Sequence, residues 1–193
     1  TITYGLGYLF VRGISFLLLP LYTNLLSPSE MGFIFLFLTL LALLNTFYNH
    51  GMDSSLLKYY DPKVAPRVFT TSITYSLGFG LIISGLIILI ERPIISLFNE
   101  NIIIVSNLTY YLVCILFCDM LVSRTKNIMR LLEQPCYYLS ISLINVFSSL
   151  ALNVYFIKIL NLGVEGALLS LVFVSLIVAC IMLIKSWFLT EVC

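Results

Sequence analysis

Six apolar runs, each long enough to cross a bilayer as a helix, take up most of this chain. They cover residues 2–26, 32–52, 72–90, 102–122, 137–160 and 163–184. A hydrocarbon core of roughly 30 Å needs about 20 helical residues, so each run spans. The composition agrees. Of 193 residues, 61% are apolar and 10% charged, against roughly 45–50% and about 25% in soluble domains. That rules out a water-soluble globule, a disordered chain and a disulfide-stapled secreted domain. The formal charge of +1 offers no field for nucleic acid, so no nucleic-acid partner is expected. The fold class is all-α: a polytopic membrane protein of six transmembrane helices in one unit, residues 1–193, with loops too short for a soluble domain. Pro20 is expected to kink the first span.

The chain starts at Thr1 with no cleavable signal pattern. The first span is expected to act as its own insertion signal, and the N-terminus to be clipped. Charges set the orientation. Lys58, Lys63 and Arg67 follow span two, Arg124, Lys126 and Arg130 follow span four, and Lys185 follows span six. Those seven cations fall on one side, against Arg92 and Lys158 on the other. Positive residues stay in the cytoplasm, so both ends of the chain are expected there, in a cell inner (plasma) membrane.

Three spans carry a polar face. At 100° per residue, Tyr4, Tyr8, Arg12, Ser15 and Tyr22 lie within about 80° on span one. Thr39, Thr46, His50 and Asp53 lie within about 60° on span two, with Asn49 beside them. Tyr138, Ser142, Asn145, Ser149 and Asn153 lie within about 80° on span five. Such faces either join helices or line a wet cavity. Arg12 is the most informative residue. Only 13 residues run from Ile14 to Leu26, too few to span, so the membrane segment reaches back past Arg12. Its guanidinium either snorkels to the headgroups or faces a site, where its planar fork suits a phosphate.

His50 and Asp53 sit near the cytoplasmic end of span two. They read either as an ion-coupling pair or as an interfacial helix end. Asp119 is expected to pair locally with Arg124 or Lys126. The five cysteines have no metal-ligand spacing, and Cys114, Cys118 and Cys180 read as apolar packing; no metal and no cofactor is expected. Enzyme readings lack their residues. There is one His in total, so no zinc pair on one helix turn. No Gly motif flanks Asp53 or Asp119, and no further Asp follows Asp119 at the spacing a phospho-alcohol transferase needs. No Gly-rich phosphate loop is present.

Several segments, in order and at matching spacing, resemble one family. Phe16-Leu17-Leu18-Leu19-Pro20-Leu21-Tyr22-Thr23, followed by Leu26-Ser27-Pro28-Ser29-Glu30-Met31-Gly32, resembles the first hairpin of the polysaccharide-biosynthesis flippases, with Met31 in place of their usual aromatic. His50 to Tyr60 resembles the end of that family's second span, and Arg130 to Pro135 the basic turn before its fifth. Asn153 to Ile157, then Leu162-Gly163-Val164-Glu165-Gly166-Ala167, resembles the link into its sixth.

The resemblance covers nearly the whole chain. It implies the MATE-like superfamily of oligosaccharide and drug exporters, with twelve to fourteen spans in two six-helix lobes. This chain corresponds to the N-terminal lobe. The function implied is transport of an undecaprenyl-diphosphate-linked oligosaccharide across the cytoplasmic membrane for cell-surface polysaccharide biosynthesis. Arg12 matches a first-helix cation of many relatives. The substrate-binding cavity expected on this basis comprises Arg12, Tyr8, Ser15, Thr46, Asn49, Ser142, Asn145 and Ser149, with His50 and Asp53 for ion coupling. Expected partners are the lipid-linked oligosaccharide, the bilayer, and the C-terminal lobe of the same protein or a second copy. A multidrug or lipid II exporter of the same superfamily, and a non-transporting membrane scaffold, are the alternatives.

Overall fold

The computed structural model describes residues 13, 16, 18–59, 65–90, 108–132 and 134–191. It is helical throughout these residues, with no strand. The helices are α1 (Leu18–Leu25), α2 (Pro28–Asn49), α3 (Met52–Tyr59), α4 (Ala65–Leu89), α5 (Leu108–Leu131), α6 (Pro135–Asn153) and α7 (Gly163–Glu191), with a π-helical turn at Val154–Ile159 after α6. Stretches of α2, α4, α5, α6 with its π turn, and α7 are each long and apolar enough to cross a membrane. The protein is a polytopic all-α membrane protein. Most of the expected first span, and the Pro20 kink's N-terminal side, lie outside the described residues.

The helix limits differ from the apolar runs where capping chemistry overrides hydropathy. Span two starts at Pro28 rather than residue 32, because Ser27 and Glu30 form a reciprocal capping box. The Ser27 amide donates to Glu30 Oε2 at 2.8 Å, and Pro28 fits the first turn, where no backbone donor is needed. The same helix stops at Asn49. His50 and Gly51 take positive φ values of 31° and 73°, a left-handed corner that Gly51 accepts without strain. Asp53 therefore sits in the first turn of a separate short helix, α3. Span four runs to Leu131, well past residue 122, because no Gly or Pro interrupts residues 108–134. Ser123, Arg124, Lys126 and Arg130 are helical residues, not loop residues.

Helix α5 is the hub. It packs on α7, α4, α2, α3 and α6. It is the least apolar of the five membrane-length helices and the most buried. That order makes physical sense in lipid, where polar side chains belong inside and apolar ones outside. Leu112, Leu116, Met120 and Met129 of α5 have no exposed surface. One core joins Phe33, Phe37 and Leu41 of α2 to Leu112 and Leu116 of α5 and to Val164 and Leu168 of α7. A second gathers Cys118, Val122, Ile141, Val174, Val178 and Met182, so Cys118 does pack as an apolar residue. Leu81, Ile82, Leu86 and Leu89 of α4 and Phe47 of α2 face outward, as lipid-facing residues should.

The start of α7 lies against the π turn. A Cβ at Gly166 would come within 3.0 Å of the Phe156 carbonyl oxygen and 3.1 Å of its carbon. Both are backbone atoms and cannot rotate away. Gly166→Val should therefore lower the thermal unfolding midpoint in detergent, at a cost on the order of 1–3 kcal/mol. Gly78→Ala, where a Cβ meets nothing within 4 Å, should leave the midpoint unchanged or raise it. Equal behaviour of the two variants would contradict the close crossing.

Candidate functional site

The end of α2 creates an electrostatic problem that Arg124 answers. A helix leaves its last carbonyls without partners, and the corner at His50–Gly51 strands those of α2 at the end of the span. The guanidinium of Arg124, with no exposed surface, fills that place. Its Nη2 donates to the Asn49 carbonyl at 3.0 Å. Its Nε donates to Ser76 Oγ of α4 at 3.1 Å. Its Nη1 is bonded to Asp53 Oδ1 in an ion pair, and Ser123 Oγ donates to Asp53 Oδ2 at 3.3 Å. One side chain thus ties α2, α3 and α4 to α5. The planar fork of an arginine makes three divergent bonds of this kind, which a lysine cannot reproduce.

Asp119 does not pair with Arg124. It interacts electrostatically with Lys126, two turns along the same helix face. His50 and Asp53 also take separate partners. His50 Nδ1 donates to the Tyr48 carbonyl at 2.8 Å, since a carbonyl only accepts. Its ring packs on Phe79 with centroids 4.1 Å apart. Its Nε2 is buried without a partner.

The polar faces divide into tie residues and open ones. Asn153, fully buried, accepts from the Tyr22 hydroxyl at 2.8 Å and donates to the Ser149 carbonyl at 2.8 Å. This pair joins α1 to the far end of α6. Tyr48 and Ser84, 2.8 Å apart, join α2 to α4. Ser142 is buried and bonds back to the Tyr138 carbonyl at 2.9 Å. Asn145, Ser149 and Asn49 are half-buried and Thr46 is exposed. Asn49 donates to Asn45 Oδ1 at 2.7 Å, while its own Oδ1 lacks a partner. The faces of α2 and α6 stand on helices that both pack on α5 and α7. Tyr8, Arg12 and Ser15 lie outside the described residues.

Arg124 and Ser76 belong to the buried polar cluster that joins the helices, and sequence reasoning missed both. The uninterrupted run without Gly or Pro through residues 108–134 was the available signal, because it places Arg124 on a helix rather than in a loop; it gives no indication of the pairing with Asp53. Burial also removes Arg124 from the surface charge. Of the seven cations that follow spans two, four and six, six remain against two, and the sign of the bias is unchanged.

Comparison with protein families adds the decisive observation. The model described as "Polysaccharide biosynthesis protein" matches residues 1–193. The chain belongs to the polysaccharide biosynthesis family. Comparison with the curated proteins gave no match, and neither did comparison with the solved structures. As a family member, it is a multi-pass membrane protein of polysaccharide biosynthesis.

Replacing both partners of an ion pair by apolar residues is near neutral, whereas removing one costs about 3–5 kcal/mol when both are fully buried. Asp53 keeps 36% of its side chain exposed and Arg124 retains Asn49 and Ser76, so Asp53→Asn should destabilise the family member by a smaller amount, about 1–3 kcal/mol, in detergent unfolding. The double variant Asp53→Leu with Arg124→Met should recover most of the loss. Additive losses in the double variant would show that the pair is not coupled.

Proposed function

We propose that residues 1–193 form the N-terminal six-helix lobe of a MATE-like exporter. Its cargo is an undecaprenyl-diphosphate-linked oligosaccharide, carried from the cytoplasmic to the outer leaflet of the plasma membrane. The observation that carries this reading is the family match over the whole chain, in a protein whose membrane-length helices bear polar faces. The chemistry is consistent. The hard step in such transport is moving a charged, hydrated headgroup through hydrocarbon. Two lobes that rock about a central cavity, opening to one side at a time, avoid exposing it to lipid.

In this reading Arg12 holds the diphosphate, since its fork binds two oxygens of one group. Tyr8, Ser15, Thr46, Asn49, Ser142, Asn145 and Ser149 offer hydroxyls and amides to the sugars. His50, with a buried ring nitrogen lacking a partner, and Asp53 are the groups for ion coupling. The C-terminal lobe of the same protein, or a second copy, supplies the opposite wall. The surplus of cations after spans two, four and six favours both ends in the cytoplasm.

Arg12→Ala in the full-length protein should reduce surface polysaccharide at least tenfold while membrane abundance stays normal. Normal polymer output from this variant would remove Arg12 from the mechanism. Alkaline phosphatase fused after Asn161 should be active, and after Gln134 inactive; the reverse pattern would invert the orientation.

A further inference from the structure

A cleft of about 300 Å³ opens between α3 and α4, lined by Met52, Ser55, Leu56, Tyr59, Arg67, Val68, Thr71 and Ser72. We infer that this cleft binds an anionic phospholipid of the leaflet at that end of the helices, its phosphate on Arg67 and the hydroxyls and one acyl chain along the apolar wall. The inference is independent of the transport reading.

Four observations support it. Ser72 is only 4% exposed and lines the cleft, yet its Oγ has no partner. A buried hydroxyl without a bond costs on the order of 1–3 kcal/mol, and a headgroup oxygen that parts the cleft wall enough to reach this closed-off hydroxyl would relieve that cost. The neighbouring serine on the same face shows the contrast: Ser76, one turn on, is satisfied by Arg124 Nε at 3.1 Å. Second, the charge is basic among the described residues. Arg67 is exposed at the rim, Lys58 lies with its Nζ 5.6 Å from the Tyr59 ring centroid, and no carboxylate is among the described lining residues. Asp53, the nearest acid on α3, is turned to Arg124 and Ser123.

Third, the depth suits a lipid. Arg67 stands in the first turn of α4 (Ala65–Leu89), ahead of that helix's long apolar stretch, and Thr71 and Ser72 follow one turn further in, the order in which a headgroup and an acyl chain would meet them. Fourth, the wall of Met52, Leu56 and Val68 is apolar, which a free phosphate has no use for and an acyl chain fills. Basic pockets between transmembrane helices are a recurrent way of holding anionic headgroups.

The test is native mass spectrometry of the full-length protein with phosphatidylglycerol and phosphatidylcholine of identical chains, supplied in equal amounts. The wild type should retain phosphatidylglycerol preferentially. Arg67→Gln should lower that retention about fivefold, the factor equivalent to about 1 kcal/mol for one basic residue near the surface. Ser72→Leu, which fills the floor, should lower it at least as much. Arg130→Gln, which removes a cation outside the cleft, should leave it unchanged. Equal retention of the two lipids by the wild type would overturn the site. So would wild-type retention by Arg67→Gln, or an equal loss in Arg130→Gln, which would mark general charge attraction.

Discussion

A guanidinium with no exposed surface, inside a helix that crosses a membrane, must have its donors satisfied by the protein. Arg124 meets that condition with one carboxylate, one hydroxyl and one backbone carbonyl. Each partner comes from a different structural device. The carbonyl is free because α2 ends at a left-handed corner. The carboxylate is in place because α3 starts directly after that corner. The hydroxyl is in place because α4 packs along α5. If any of these were absent, the charge would be stranded. This end of the helix bundle is therefore organised around one side chain.

The opposite end is held differently. Tyr22 and Asn153 form a single neutral hydrogen bond between α1 and the end of α6, beside the π turn and the close crossing at Gly166. Between the two ends the helices meet through apolar packing around Leu112, Leu116 and Leu168. Lipid supplies no hydrophobic force between helices, so polar ties and close packing set the arrangement. Asn49, Asn145 and Ser149 keep part of their surface open on this frame. The frame is thus fitted to hold polar groups at fixed places within a membrane.

Much of the fold was legible from hydropathy. Spans two to six appear where the apolar runs lie, because burial in lipid demands both length and apolar character. The errors fell at helix ends. Ser27-Pro28-Ser29-Glu30 reads as a polar loop by hydropathy and as a helix start by capping chemistry. Ser123 to Arg130 reads as a basic loop, yet it continues α5, because charge alone does not end a helix. Asp119 was expected to meet Arg124 or Lys126, its neighbours in sequence; Lys126 is the one it interacts with, and the partner of Arg124 is Asp53 on another helix. Long-range pairing of this kind leaves no periodic signal. Asn153 was legible as part of a polar stripe, but not as a tie to Tyr22.

Membership of the polysaccharide biosynthesis family and a frame that presents polar groups within the bilayer lead to one central claim, that the protein moves a lipid-linked saccharide between leaflets. The most direct measurement uses vesicles reconstituted with the full-length protein and a lipid-linked oligosaccharide confined to the inner leaflet. Access of an added, membrane-impermeant glycosidase to the saccharide is followed over time. The account predicts that cleavage rises beyond half of the substrate in protein-containing vesicles and stays at background in protein-free ones. Equal, background cleavage in both would contradict it.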